Sequence, residues 1–139
     1  MSEAEHVRVV KALYAAMGQP VLDDAALGLL SEDIEFVVPG RPGLGAAGVW
    51  RGADGVQECM RRLRAAQQND RVDVLDIVAQ GEHVVVRLFV RARVTATDKT
   101  FESDIIHFFT FSGGKITRLL DFFDTAAVEA AYRTEPAPG

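Results

Sequence analysis

From Phe101 to Phe123 the chain reads FESDIIHFFTFSGGKITRLLDFF, two apolar runs meeting at Ser112-Gly113-Gly114. A Gly-Gly pair between two such runs predicts an antiparallel hairpin. A short helix is predicted to follow, from Asp124 or Thr125 to Tyr132. Two ionisable side chains, His107 and Asp121, interrupt this hydrophobic hairpin. A hairpin built only for packing has no use for them. A pocket with chemistry is therefore the first expectation.

Side chains alternate across a strand, so parity sorts the faces. Ser103, Ile105, His107, Phe109 and Phe111 share one face, and Thr117, Leu119, Asp121 and Phe123 share one face of the returning strand. A turn at 112–115 sets His107 opposite a residue close to Asp121, within cross-strand reach. Desolvation raises the pKa of a carboxylate, whereas a neighbouring imidazolium lowers it. A coupled pair of this kind suits proton removal from carbon beside a carbonyl, or from water. Two readings stay open: a buried pair satisfying itself, or a pair that touches a ligand.

Upstream, Val7, Val10, Tyr14 and Met17 form a stripe at helical spacing over residues 3–17, ended by Gly18 and Pro20. Tyr14 either fills core or turns its hydroxyl toward a developing oxyanion. A second helix is expected over about 23–30, a turn at Ser31-Glu32-Asp33, and a strand from Ile34 to Val38 halted by Pro39. The stretch PGRPGLGAAGVW, residues 39–50, reads as a loop, unusually apolar through Leu44, Val49 and Trp50. It fits a pocket lid and a dimer contact equally. A third helix is expected from Asp54, with Gln57 at capping-box spacing. Strands follow over 72–79, 83–96, 101–111 and 115–123. Asp124 reads as the N-cap of the last helix. The predicted pocket wall is Phe36, Val38, Trp50, Ile105, Phe109, Leu119 and Phe123.

The element order predicts an α+β domain over residues 1–133, with a disordered tail at 134–139. A strongly curved mixed or antiparallel sheet, closed by the N-terminal helices into a cone or α+β barrel, would enclose a cavity. The net charge of -5 speaks against a nucleic-acid partner. Arg87, Arg91 and Arg93 make a local strand face, not a phosphate-tracking groove. No apolar stretch approaches the 18 or so residues of a membrane span, and no secretory leader is read, so a cytoplasmic location is expected. The lone cysteine, Cys59, excludes an intrachain disulfide and reads as helix packing. No metal and no cofactor are expected: His6, His83 and His107 lack ligand spacing, and the glycines lack a phosphate-loop pattern.

Three segments carry a family resemblance: Ser31-Glu32-Asp33 before a strand, Trp50-Arg51-Gly52-Ala53-Asp54 at the entry to the third helix, and HFFTFSGGKITRLLDFFDTAA at 107–127. With these, the chain resembles the nuclear-transport-factor-2-like superfamily, and within it the SnoaL-like polyketide cyclase group, from about Val7 to Tyr132. The resemblance implies the cone-shaped sheet, a homodimer and a small hydrophobic guest. Tyr14 matches the oxyanion tyrosine of ketosteroid isomerases by placement, and His107 stands where their oxyanion aspartic acid falls. Val38 occupies the position of the proton-shuttling base, so that mechanism lacks its base here. Asp121 matches the acidic residue that SnoaL-like cyclases and limonene-epoxide hydrolases carry on the last strand. The Arg and Asp that the epoxide hydrolases add have no counterpart in the run RLFVRAR.

The resulting expectation is a cofactor-independent general acid/base enzyme acting on a small hydrophobic carbonyl compound, by intramolecular aldol cyclisation or a related isomerisation. Asp121, His107 and Tyr14 would be its catalytic residues. The alternatives are a binding protein using the same cavity, a hydrolase or dehydratase, and a dimerisation module whose interior is filled by side chains.

Overall fold

The computed structural model describes residues 1–134. The first helix, α1 (Glu3–Met17), opens with a capping box. The Ser2 hydroxyl accepts from the Glu5 amide at 3.1 Å, and the Glu5 carboxylate returns to the Ser2 amide. Its buried face carries His6, Val10 and Leu13, with Tyr14 half-buried beside them. A single-turn helix, α2 (Asp24–Leu27), is capped by Asp23.

Among the described residues six strands form one sheet: β1 (Leu30–Val38), β2 (Gly48–Arg51), β3 (Gln67–Gln80), β4 (His83–Val94), β5 (Thr100–Ser112) and β6 (Lys115–Phe123). Between β2 and β3 lies α3 (Gly52–Ala66), and α4 (Thr125–Tyr132) follows β6. The spatial order is β2-β1-β6-β5-β4-β3. β3 to β6 make an antiparallel meander, whereas β1 lies parallel to β6.

This topology corrects the expected cone or barrel. The sheet is open: β2 and β3 are its two edges and do not pair. Closure requires those edges to meet with matched stagger. β2 is only four residues long and is held by β1 alone, while β3 is engaged by β4 alone. Among the described residues the fold is an α+β mixed sheet with four helices.

Three local boundaries also differ from expectation. Residues 31–33 belong to β1 rather than to a turn, because the amide of Ile116 bonds Leu29 and brings Leu30 beside Ile116, before a bulge. α3 begins at Gly52, and Gln57 makes no capping box. Its amide accepts from the Leu22 N–H at 3.2 Å and donates to the Leu22 carbonyl at 2.8 Å, clipping the α1–α2 segment to α3. β3 begins five residues early because β4 supplies its partners across polar residues such as Gln68 and Asn69. Pairing overrides local hydropathy there. Asp124 caps α4 as expected, accepting from the Ala127 amide at 3.0 Å. The expected tail disorder concerns Thr134, an exposed bend, and residues 135–139, which lie outside the described residues.

The core lies between the helices and one face of the sheet. β4 shows the pattern plainly: Val84, Val86, Leu88, Val90, Ala92 and Val94 are buried and alternate with more exposed residues. Phe109, Ile34 and Ile116 are fully buried at its centre, against Val10 and Leu13 of α1 and Val56, Cys59 and Met60 of α3.

Candidate active site

A cavity of about 790 Å³ remains between sheet and helices. Its walls are mainly apolar: Phe36 and Val38 from β1, Leu88 and Val90 from β4, Ile105 from β5, Phe123 from β6, and Met60 and Leu63 from α3. Leu44, Gly45 and Ala46 of the 39–47 loop also line it. Leu44 is buried against Val90, Phe101 and Val128, so this loop is a cavity wall. Arg41 ties it to Glu129 of α4, and Ala46 accepts from the Trp50 indole N–H.

Tyr14, His107 and Asp121 all reach this cavity. β5 and β6 place His107 and Asp121 as direct cross-strand partners on the inner face. The His107 Nε2 lies 3.5 Å from Asp121 Oδ1. From α1, the Tyr14 hydroxyl lies 2.8 Å from His107 Nδ1. Burial, with the Asp121 carboxylate adding to it, pushes the Tyr14 phenol far above its ordinary range. The protonated phenol can donate to Nδ1 or accept from an Nδ1–H. With the phenol donating to Nδ1, the neutral ring carries its N–H on Nε2, on the side of Asp121.

Phe109 fixes these rings without touching the cavity. It meets the Tyr14 ring edge-on at 5.9 Å and the His107 ring at 6.0 Å and 90°. Asp121 is less satisfied. Its Oδ1 is buried and has no hydrogen-bond partner among the described residues. At 3.5 Å the imidazole is too distant for a good hydrogen bond. A buried acceptor with unused capacity beside an N–H donor, in an apolar cavity, can receive a proton and steady an adjacent oxygen.

Of the predicted wall, Phe36, Val38, Ile105 and Phe123 line the cavity. Trp50, Phe109 and Leu119 do not. Leu119 points into the core between α1 and β1, and Trp50 lies under the Arg62 guanidinium. Cys59 reaches the cavity wall, and burial together with Asp121 pushes its thiol up to about 12. The sequence reading missed a polar group at the far end: Gln67, Asn69 and Tyr132. The buried stripe expected for the third helix takes in Ala66 or Gln67, but Gln67 opens β3 instead, and Asn69 lies in a run without periodicity, which gave no signal. No cluster of His, Cys, Asp or Glu suited to a metal occurs among the described residues, and no described helix is long and apolar enough to cross a membrane.

Residues 10–119 match the SnoaL-like domain model. The chain belongs to this family, within the nuclear-transport-factor-2-like superfamily. An uncharacterized protein of Mycobacterium tuberculosis strain H37Rv is 30% identical, over 95% of this chain and 99% of its own length. The crystal structure of an NTF2-like protein from Burkholderia xenovorans is 32% identical, with a TM-score of 0.83 over 96% of this chain and 99% of its own. TerC, co-crystallized with polyporic acid, is 26% identical, with a TM-score of 0.72 over 92% of this chain and 98% of its own. Family membership and the cavity are consistent with cofactor-independent chemistry on a small molecule.

Proposed function

We propose that this protein is a general acid/base enzyme for a small hydrophobic carbonyl compound, with Asp121 as base. The observation that carries this reading is the buried, unpartnered Oδ1 of Asp121 beside His107 at the wall of an apolar cavity. Asp121 takes a proton from the carbon next to the carbonyl. The electron pair left behind moves onto the carbonyl oxygen, where the Nε2–H of His107 donates to it. Tyr14 holds His107 in the tautomer that keeps that N–H available. In an intramolecular aldol closure the enolate carbon then attacks a second carbonyl of the same molecule. One C–C bond forms, and the new alkoxide recovers the proton from Asp121. Returning the proton to a different carbon gives isomerisation instead.

Support for a small-molecule guest comes from the open cavity and from TerC, a relative co-crystallized with polyporic acid. The direct test is α-proton exchange of 2-tetralone in deuterated water. Catalysis lost in Asp121→Asn supports the reading. Binding that survives Asp121→Asn, with no exchange by the wild type, identifies a binding protein instead.

The reading includes a homodimer formed through the outer face of the sheet. Val49, Val37, Leu120, Phe108, Val85 and Val78 stand in register across all six strands. No described helix covers this row, and Val49 and Val78 are exposed. An apolar row this continuous supports a second copy as its cover.

A further inference from the structure

We infer that the cavity selects an elongated guest, with an uncharged hydrogen-bonding group at the end remote from Asp121. This rests on the reading of the cavity as a small-molecule site and adds the guest's shape and second polar end.

The cavity has two polar poles. One is the buried group around Asp121 and His107. The other lies where α3 passes into β3, and is built by Gln67, Asn69 and Tyr132. The register gives their separation. His107 pairs with Val86, and Gln67 pairs with Val94, on the same strand and the same face. Eight residues of β4 span roughly 26 Å. Between the poles the wall is apolar, through Ile105, Leu88, Val90 and Phe101. A volume of about 790 Å³ drawn out over that length is a slot for one chain or one file of rings. Asn69 is exposed, so the second pole is the mouth, while His107 is 7% exposed at the inner end.

The chemistry of the mouth is neutral. Burial pushes the Tyr132 phenol up to about 12, so it stays protonated and donates to Gln67 Oε1 at 2.5 Å. Gln67 Nε2 in turn donates to Asn69 Oδ1 at 3.0 Å. The lone pairs of Tyr132 Oη and the amide N–H groups of Asn69 are left to a guest. One acceptor beside one donor matches a hydroxyl or amide. The nearest cation on the wall, Arg64, spends its guanidinium on the carbonyls of Met17, Gln19 and Pro20. A carboxylate tail finds no free charge there.

The probes are 4-(12-hydroxydodecyl)phenol and 4-dodecylphenol, titrated by calorimetry into the full chain. Each phenol mimics an enol at the Asp121 end, and only the first carries a tail hydroxyl. The wild type is expected to favour the hydroxyl-tipped probe by roughly three- to tenfold, the worth of one neutral hydrogen bond. Tyr132→Phe and the exposed Asn69→Ala each shrink that preference and leave 4-dodecylphenol unchanged. Equal affinity for both probes in the wild type overturns this inference and spares the proposed function. Equal weakening of both probes in Asn69→Ala overturns it as well. Failure of both phenols to bind the wild type overturns this inference together with the reading beneath it.

Discussion

His107 and Asp121 face each other directly across β5 and β6, with 3.5 Å between Nε2 and Oδ1. The contact is close enough for the two side chains to sense each other and too long to satisfy the carboxylate. A purely structural pair in an apolar interior is expected to close that gap, because an unmet buried acceptor costs about 1–3 kcal/mol. The gap is the geometric basis for reading the pair as a site.

In the proposed mechanism Tyr14 sets the tautomer of His107 by donating to Nδ1. Tyr14→Phe removes the donor to Nδ1 and leaves a buried acceptor unmet. The expected loss is about 1 kcal/mol of stability and roughly fivefold in turnover. Nitrogen NMR of the histidines tests the cause: the wild type shows His107 protonated at Nε2, and Tyr14→Phe shows a mixture of tautomers. A wild type already protonated at Nδ1 contradicts the assignment.

Phe109 is fully buried beneath both rings. Phe109→Ala opens a void in the centre of the core and is expected to cost about 3–5 kcal/mol in urea unfolding. Phe109→Leu retains most of the volume. It is expected to lose much less stability while loosening Tyr14 and His107, so activity falls further than stability does.

Alkaline stability follows from three groups. Burial raises Cys59 from 9.0 to about 12 and Tyr132 from 10.0 to about 12, and raises Tyr14 further still. Each stays protonated in the folded chain at a pH where the unfolded chain has released the proton. The folded state then binds more protons, so stability falls as pH rises. Their contribution is complete below about pH 9 and is lost progressively through pH 12. Melting temperatures across pH 8 to 12 measure this. Cys59→Ala is expected to soften the first part of the decline, from pH 9.

The apolar row on the outer sheet face predicts a dimer. Val78→Asp with Val85→Asp puts charge into adjacent positions of that row. Light scattering is expected to read a dimer for the wild type and a monomer for the double variant, with the far-ultraviolet spectrum unchanged. A wild-type monomer at tens of micromolar removes this surface from the account.

Much of the candidate site's geometry was legible because strand parity is a rigid rule. The Gly113-Gly114 turn sets the hairpin register, and the register alone carries His107 to Asp121. Helical spacing likewise placed Tyr14 on the inner side of α1, where it packs against the core and reaches the cavity. Sheet closure was not legible. It depends on whether the ends of β2 and β3 meet, and no local pattern reports that. β2 itself was hidden in a Gly-rich loop because its four residues form a strand only against β1. Gln57 shows the same limit: capping-box spacing is present, yet its amide finds Leu22, a partner 35 residues away. The second polar pole escaped notice because Gln67 and Tyr132 are 65 residues apart and meet only in the fold.

The central claim is that Asp121 removes a proton from carbon, and hydrogen–deuterium exchange of 2-tetralone followed by proton NMR measures that step directly. The account predicts that the wild type accelerates α-proton exchange above buffer, and that Asp121→Asn, folded to the same melting temperature, loses at least roughly 100-fold of that acceleration. Exchange by the wild type that Asp121→Asn leaves unchanged would contradict it.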